Sequence, residues 1–498
     1  MTDTRTRTQT ETSSAPNVLL LIMDSVRAHN TSLHGHERET TPFLDSFADR
    51  ATTYTQARAP GRWSLPSHAS LFTGYHVAEH RLYDEGRRLE PGHDIFGELS
   101  ETFGYDTGLF SYNGYINGRV DTGLSEGFDT VEGYREPLFP DAANPAGLRG
   151  EKRTFLRMCL DSGQPLRSVA NGLLMKLGWD HPGVVPDRFL RNTIAGQTPD
   201  DVYVDLFLDW HRDRTGPWAA CLNFMCTHNA FEPDPEHDRW GTNDARKLQR
   251  SLKYGNWEYL SGQRPLSELR EFEPLFDGTI HQTDAMIRRI VEAIAERGDL
   301  VNTLVVITGD HGEGFGAPSR IRDGLPMVQH VIGAHEVLLH VPLVVNYPGQ
   351  TDPVTVTDVA SLTRFPNVVR DCVDGTFDDH AGFAPDDGRV FASDHGLNEV
   401  NREKMKDYCD ENDWEKFEDE TLVLYENADE GVRKTMTWKG RSVSFEIDDD
   451  LTVTAVDGDR SGAVRAAFDS LTDAGAMAHT DDTVDEGTLK QLEKLGYR

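Results

Sequence analysis

Four short stretches of this chain are apolar without interruption, and nothing else in it restricts the fold as strongly. They are Asn17–Met23 (NVLLLIM), Ala219–Met225 (AACLNFM), Thr303–Thr308 (TLVVIT) and Val341–Asn346 (VPLVVN). A strand with one wet face alternates polar and apolar side chains. A continuous apolar run of this length fits a strand covered on both faces, as in a parallel sheet between helices. Helical periods lie between the runs. Thr41–Arg50 puts Phe43, Leu44 and Phe47 on one side. Asp284–Arg297 repeats Met286, Ile287, Ile290 and Ile294 before a closing Gly298. Strand and helix alternate, which predicts an α/β fold with a mostly parallel sheet flanked by helices.

At 498 residues the chain exceeds one small core. After about residue 375 its texture changes. Arg389–Ala392, Thr421–Tyr425, Arg433–Trp438, Ser442–Ile447 and Thr452–Val456 read as short strands joined by polar turns, which predicts a smaller antiparallel sheet. Asp485–Leu495 reads as a closing amphipathic helix. Residues 134–200 are rich in Pro and Gly, concentrate Lys and Arg, and contain no clear strand. The expected organisation is a disordered tail over 1–16, a catalytic domain over 17–375 with an insertion at 134–200, and a smaller C-terminal subdomain over 376–498.

The formal charge is −33, and 11 of the 50 basic residues are lysine. Excess carboxylate with scarce lysine suits a protein dissolved in concentrated salt, which screens the repulsion. A halophilic cytosol is the expectation. No basic stripe exists to hold a nucleic-acid backbone, so no nucleic-acid partner is expected. The cysteines Cys159, Cys221, Cys226, Cys372 and Cys409 are scattered, odd in number and without a CxxC pair. That speaks against a disulfide framework or a zinc site. The polar N-terminal residues lack the roughly 7–15-residue apolar core of a signal peptide. The longest early apolar run, Val18–Met23, is far short of a membrane span. A cytoplasmic location is expected.

Three of the apolar runs end in reactive residues. One leads into Asp24-Ser25-Val26-Arg27, another into Thr227-His228-Asn229, and a third into Gly309-Asp310-His311-Gly312-Glu313. In an open α/β sheet, ligands bind beyond the carboxyl ends of the strands. Asp24, Asp310 and His311 therefore form a plausible cation site, suited to Ca²⁺, Mg²⁺ or Mn²⁺. The bland alternative is that the two carboxylates merely cap turns. Ser64 opens Ser64-Leu65-Pro66-Ser67-His68, where Pro66 suits a first helical turn and Gly74 an end. An oxyanion on Ser64 would be favoured by the helix N-terminus, although a plain N-cap role is the simpler alternative.

Taken in order, these motifs resemble the sulfatase family of the alkaline phosphatase superfamily. The resemblance rests on Asp24, on Ser64-Leu65-Pro66-Ser67 with Leu71-Phe72-Thr73-Gly74, and on Asp310-His311-Gly312-Glu313. The connecting pieces His36–Pro42, Asn223–His228, Phe276-Asp277-Gly278, His340–Val345 and Leu492–Tyr497 add to it. The resemblance implies an alkaline-phosphatase-like fold and cleavage of sulfate esters, or alternatively hydrolysis of phosphomonoesters or phosphodiesters or phosphoryl transfer, on a small molecule or carbohydrate, with a non-catalytic binding protein on the same fold as a third reading. It implies a single divalent cation, Ca²⁺ first, held by Asp24, Asp310, His311 and Ser64. Ser64 would be the nucleophile, possessed of a plain hydroxyl or oxidised to formylglycine. His228 would contact the ester or protonate the leaving group. His330 matches a substrate-facing position, with His335 as a competitor. Asp394-His395-Gly396 repeats the metal motif but is read as a decoy. Two departures stand out. Ser25 replaces a frequent second acid, and His68 stands where sulfatases carry the Arg of the maturation motif. An unmodified Ser64 favours phosphoester chemistry.

Overall fold

The structure is a computed structural model and describes residues 15–133, 139, 142–143, 152–180, 199–252, 256–377, 380–429, 431–448 and 453–479. Most of the predicted N-terminal tail, parts of the 134–200 segment, the Leu492–Tyr497 motif and the predicted helix Asp485–Leu495 lie outside these residues.

Eight strands form the main sheet. They are β1 (Asn17–Met23), β2 (Thr52–Tyr54), β3 (Asp106–Ser111), β4 (Thr130–Glu132), β5 (Trp218–Phe224), β6 (Thr303–Thr308), β7 (Leu343–Asn346) and β8 (Val354–Val356). Their order is β8-β2-β7-β6-β1-β5-β3-β4. β1 pairs in parallel with both β5 and β6, and β3 in parallel with β5. Every residue of β1, β5 and β6 is buried. Along β1, Leu19, Leu21 and Met23 join the core on one face, while Val18, Leu20 and Ile22 join the core on the other. Two cores, one strand: this is why the run does not alternate. Each side chain so buried contributes about 1.5–3 kcal/mol.

One expectation needs correction. β7, read as a strand of a parallel sheet, runs antiparallel to both neighbours, β6 and β2. Its continuous apolar run reports burial on two faces and says nothing of direction. β2, β3, β4 and β8 did not stand out in the sequence. They are short or mix polar residues with glycine, as in the DTGLFS of β3.

The helices include α1 (Pro42–Phe47), α2 (Ser64–Thr73), α3 (Lys152–Asp161), α4 (Pro165–Asp180), α5 (Pro199–Arg212) and α6 (Glu273–Glu296). α2 is buried throughout and ends at Gly74, whose φ of 79° a side chain would disfavour. α6 starts well before the predicted Asp284, with a proline in its first turn, and buries Phe276, Ile280, Ile287, Ile290 and Ile294. From its interior, Asp284 accepts the backbone N–H groups of Phe43 (2.7 Å) and Leu44 (3.0 Å). α1 is thus capped by a residue far away in sequence, and burial pushes the Asp284 carboxyl up to about 7.

All five predicted C-terminal strands are present as β9 (Arg389–Asp394), β10 (Thr421–Asn427), β11 (Val432–Trp438), β12 (Arg441–Ile447) and β13 (Val453–Val456). They form an antiparallel meander in chain order. None of the five cysteines is in a disulfide. Among the described residues, no helix is long and apolar enough to cross a membrane.

Candidate active site

β6, β1, β5 and β3 lie side by side and parallel, so the loops after them open on one edge of the sheet. Asp24 follows β1, Asp310 and His311 follow β6, Asn223 and His228 sit at and beyond the end of β5, and Asn113 follows β3. Two glycines let the β6 loop lie flat against its neighbours. A Cβ on Gly309 would stand 2.2 Å from the Val26 carbonyl oxygen, and one on Gly312 would stand 2.1 Å from that of Val337. Any side chain at either position would push the Asp310–His311 pair out of place.

Asp24, Asp310 and His311 are fully buried, and each offers one ligand atom within 4.8 Å of the others. Asp24 Oδ2 accepts from Asn113 Nδ2 (3.1 Å) and Asn223 Nδ2 (3.2 Å). Asp310 Oδ1 accepts the backbone N–H groups of Ser25 (3.0 Å) and His311 (2.9 Å). Asp310 Oδ2 accepts no hydrogen bond, although it is buried. It lies 3.4 Å from His311 Nε2 and 3.5 Å from His68 Nδ1. Burial works to raise the Asp24 carboxyl, but His228, His311, His68 and the Asn223 amide outweigh it and leave the group below its ordinary value. Asp310 is raised, first by burial and then by the charge of Asp24. Two buried carboxylates this close need positive charge between them, and an unsatisfied oxygen pointing at the same spot is a ready ligand. The oxygen-rich set with one imidazole fits a divalent cation.

α2 carries Ser64 as its first residue, after the N-cap Trp63. Ser64 Oγ lies 3.4 Å from Asp24 Oδ2 and 3.4 Å from His311 Nε2. Its hydroxyl therefore looks into the carboxylate cluster, which is more than an N-cap does. His68, one turn on, donates from Nδ1 to the Ser64 carbonyl oxygen at 2.9 Å. It touches the Ser64 backbone and Asp310 rather than open space. Ser67 Oγ donates to the Asp310 carbonyl at 2.5 Å, tying α2 to the β6 loop.

The histidines sort themselves by contact. His228 Nε2 faces His330 Nε2 at 3.3 Å, and the His330 ring lies 4.6 Å from that of His311. Burial, with His311 and His228 adding to it, holds His330 well below its ordinary value. His335 is elsewhere engaged: its Nδ1 accepts the Val337 N–H at 3.2 Å and caps a short helix. Asp394 stands outside the cluster, ion-paired with Arg62 (2.7 Å) and Arg322 (3.4 Å). It fastens the second sheet to the loop ahead of α2, which agrees with its reading as a decoy.

Three participants were not singled out from the sequence. Asn113 and Asn223 hold Asp24, and the only sequence signal was a polar Asn223 inside an apolar run. Glu313 is buried, its carboxyl pushed up to about 7 by burial, with Oε2 3.4 Å from His330 Nδ1. The connecting motifs also meet. His36 (3.1 Å) and Arg38 (2.5 Å) both reach Asp277 Oδ2 on α6.

An α/β sheet that gathers a serine and an Asp/Asp/His cluster beyond its strand ends defines the alkaline-phosphatase-like class. The sulfatase family profile matches residues 16–372, and the chain belongs to the sulfatase family. Among curated relatives, arylsulfatase K of Mus musculus is 21% identical over 378 residues, covering 71% of this chain and 60% of the relative. An arylsulfatase of Clostridium perfringens is 24% identical over 355 residues, covering 67% of this chain and 69% of the relative. The chain spans about three fifths of the length of the arylsulfatase K relatives. Among solved structures, the phosphonate monoester hydrolase of Agrobacterium radiobacter superposes with a TM-score of 0.60 at 18% identity, covering 92% of this chain and 94% of that one. The fold is therefore the one expected.

Proposed function

We propose that the chain is a metal-dependent hydrolase of sulfate esters with Ser64 as its nucleophile. The observation that carries this reading is the position of Ser64 Oγ, 3.4 Å from both Asp24 Oδ2 and His311 Nε2 at a helix N-terminus. Asp24, Asp310, His311 and Ser64 would hold one divalent cation, Ca²⁺ first, with Mg²⁺ and Mn²⁺ as alternatives. Bound there, the ion supplies positive charge for a serine oxyanion and for the ester's own oxygens. Ser64 Oγ, its proton given up to solvent as the oxyanion forms, attacks the central atom of the ester, and the bond to the alcohol oxygen breaks. His228 and His330 hold the proton that this oxygen needs as it leaves. His68 keeps the Ser64 backbone in place through its carbonyl. Asn113 and Asn223 keep Asp24 turned inward.

A second reading, transfer or hydrolysis of a phosphate ester, is favoured by one observation. His68 replaces the Arg of the maturation motif, and a serine left unmodified would form a sulfate ester that water must open at sulfur. A phosphoserine is opened more readily. Formylglycine at Ser64 would restore the sulfate route, because its hydrate expels sulfate by collapsing to the aldehyde. Mass spectrometry of the Ser64 peptide, with a panel of aryl sulfates, phosphomonoesters and phosphodiesters, separates the two. No turnover of any of them, with any divalent ion, ends both.

A small cleft opens beside His330, lined by Arg62, Trp63, Gln329, Asn398 and Asn401. Its amide-rich wall supports a hydroxyl-bearing leaving group such as a carbohydrate. The charge of −33 supports a salt-rich cytoplasm as the enzyme's medium. Equal stability in dilute buffer and in molar KCl would remove that part.

A further inference from the structure

Helices α3 and α4 carry their apolar side chains on the wrong side for a folded core. Leu156 (57%), Leu160 (76%), Leu166 (86%), Val169 (40%) and Leu173 (56%) are exposed. The inner face mixes Phe155 and Cys159 with small and polar residues. Ser168 and Asn171 are buried, Ser162 Oγ lies 2.8 Å from Ser168 Oγ, and the Phe155 ring lies so close to Gly172 that a Cβ there would come within 2.4 Å. At about 100° per residue, Leu166, Val169 and Leu173 fall on one stripe of α4, opposite Ser168 and Asn171. Leu156 and Leu160, one turn apart, form the matching stripe on α3. The pair is thus held together by Phe155 on Gly172 and by the Ser162–Ser168 contact, and offers five of its apolar side chains outward. Its charge is also inverted. Between Lys152 and Asp180 there are five Lys or Arg and two Asp, in a chain of net charge −33. Arg157, Arg167 and Lys176 are exposed on the same two helices.

We propose that the α3–α4 pair docks the protein on an anionic lipid surface, leucines in the interfacial layer and Arg157, Arg167 and Lys176 against the headgroups. Exposed leucines alone would fit a second copy of the chain equally well. The basic residues decide, because a symmetric dimer through this face would bring like charges together, whereas a negatively charged bilayer pairs with them. The helices lie on the membrane and do not span it.

The experiment is flotation of the full chain with vesicles of phosphatidylcholine alone and of phosphatidylcholine mixed with phosphatidylglycerol. The wild type floats with the mixed vesicles and about tenfold less with the neutral ones. A Leu160→Ser/Leu166→Ser/Leu173→Ser variant loses flotation about tenfold or more, while its melting temperature and turnover of a soluble aryl ester stay at the wild-type level. An Arg157→Gln/Arg167→Gln variant loses the preference for anionic vesicles. Wild-type protein that stays behind with both vesicle types overturns the proposal. So does a leucine variant that floats as well as wild type. Sedimentation that shows a dimer lost in the leucine variant, without vesicle binding by the wild type, overturns it in favour of self-association.

Discussion

The Nε2 atoms of His228 and His330 face each other at 3.3 Å, within reach of a single N–H···N hydrogen bond between the two rings. A pair of imidazoles so arranged can pass a proton to an oxygen leaving the site. Replacing either by Ala is expected to slow turnover of esters with poor leaving groups by roughly a hundred- to ten-thousand-fold. Esters with acidic leaving groups, which depart without help, should lose far less. Steady-state rates on a series of aryl esters of graded leaving-group pKa test this. An equal loss across the series would assign the pair to binding instead.

Ser64→Ala should reduce kcat by on the order of a thousandfold or more, with the melting temperature near wild type. A small hydroxyl on a buried helix contributes little to stability compared with what its loss removes from the reaction. Retained turnover in this variant would show that another group attacks.

Metal addition should raise the melting temperature of the wild type. Binding at a hundredfold excess over Kd corresponds to about 2.7 kcal/mol. Asp310→Asn should abolish the shift, because it removes the charge of a buried cluster oxygen that accepts no hydrogen bond. Differential scanning calorimetry with and without a chelator checks both. A shift that persists in Asp310→Asn would place the ion elsewhere.

The buried His80 makes the fold acid-sensitive. Its Nδ1 accepts the Leu82 N–H and its Nε2 meets Ser70 Oγ, each at 2.9 Å. Burial, with His395 adding to it and a hydrogen bond to Pro66 opposing it, pushes this imidazole down to about 3. The folded value lies below the unfolded one, so the unfolded chain takes up the proton first. Stability is then complete above about pH 6.5 and falls as pH drops, by about 1.4 kcal/mol per unit for this group. Denaturant midpoints measured between pH 7 and pH 4 should decline, and His80→Gln should flatten the slope. An unchanged slope would mean that other groups dominate.

Asp394→Ala should cost about 3–5 kcal/mol, since it leaves Arg62 and Arg322 buried without their shared carboxylate. Arg62 also donates to the His330 carbonyl at 2.6 Å, so kcat should fall along with stability. Urea titration together with turnover distinguishes this from a purely local loss, which would leave one of the two unchanged.

The two-faced burial of β1, β5 and β6 was legible because hydrophobic pattern is a local property. So were the five C-terminal strands and the reactive residues at the strand ends. The direction of β7 was not, because a run buried on both sides reads the same either way. Asn113 was not assigned because nothing beside it in sequence marks it, and Glu313, although it closes the Asp310-His311-Gly312-Glu313 motif, was given no role of its own. Their meaning lies in partners, Asp24 and His330, that arrive from other strands. Asp284 shows the same limit: it read as the start of a helix and is instead an interior residue capping α1 from afar.

Asp310 receives the N–H of Ser25 across 285 positions of sequence. On the ribosome, the first strand and Ser64 emerge long before the strand that will lie beside them. Until β6 is made, Ser64 stays open to solvent, and once β6 docks, it has no exposed surface. Any enzyme that alters this hydroxyl must therefore act during synthesis or on an unfolded chain, in competition with the closing of the sheet.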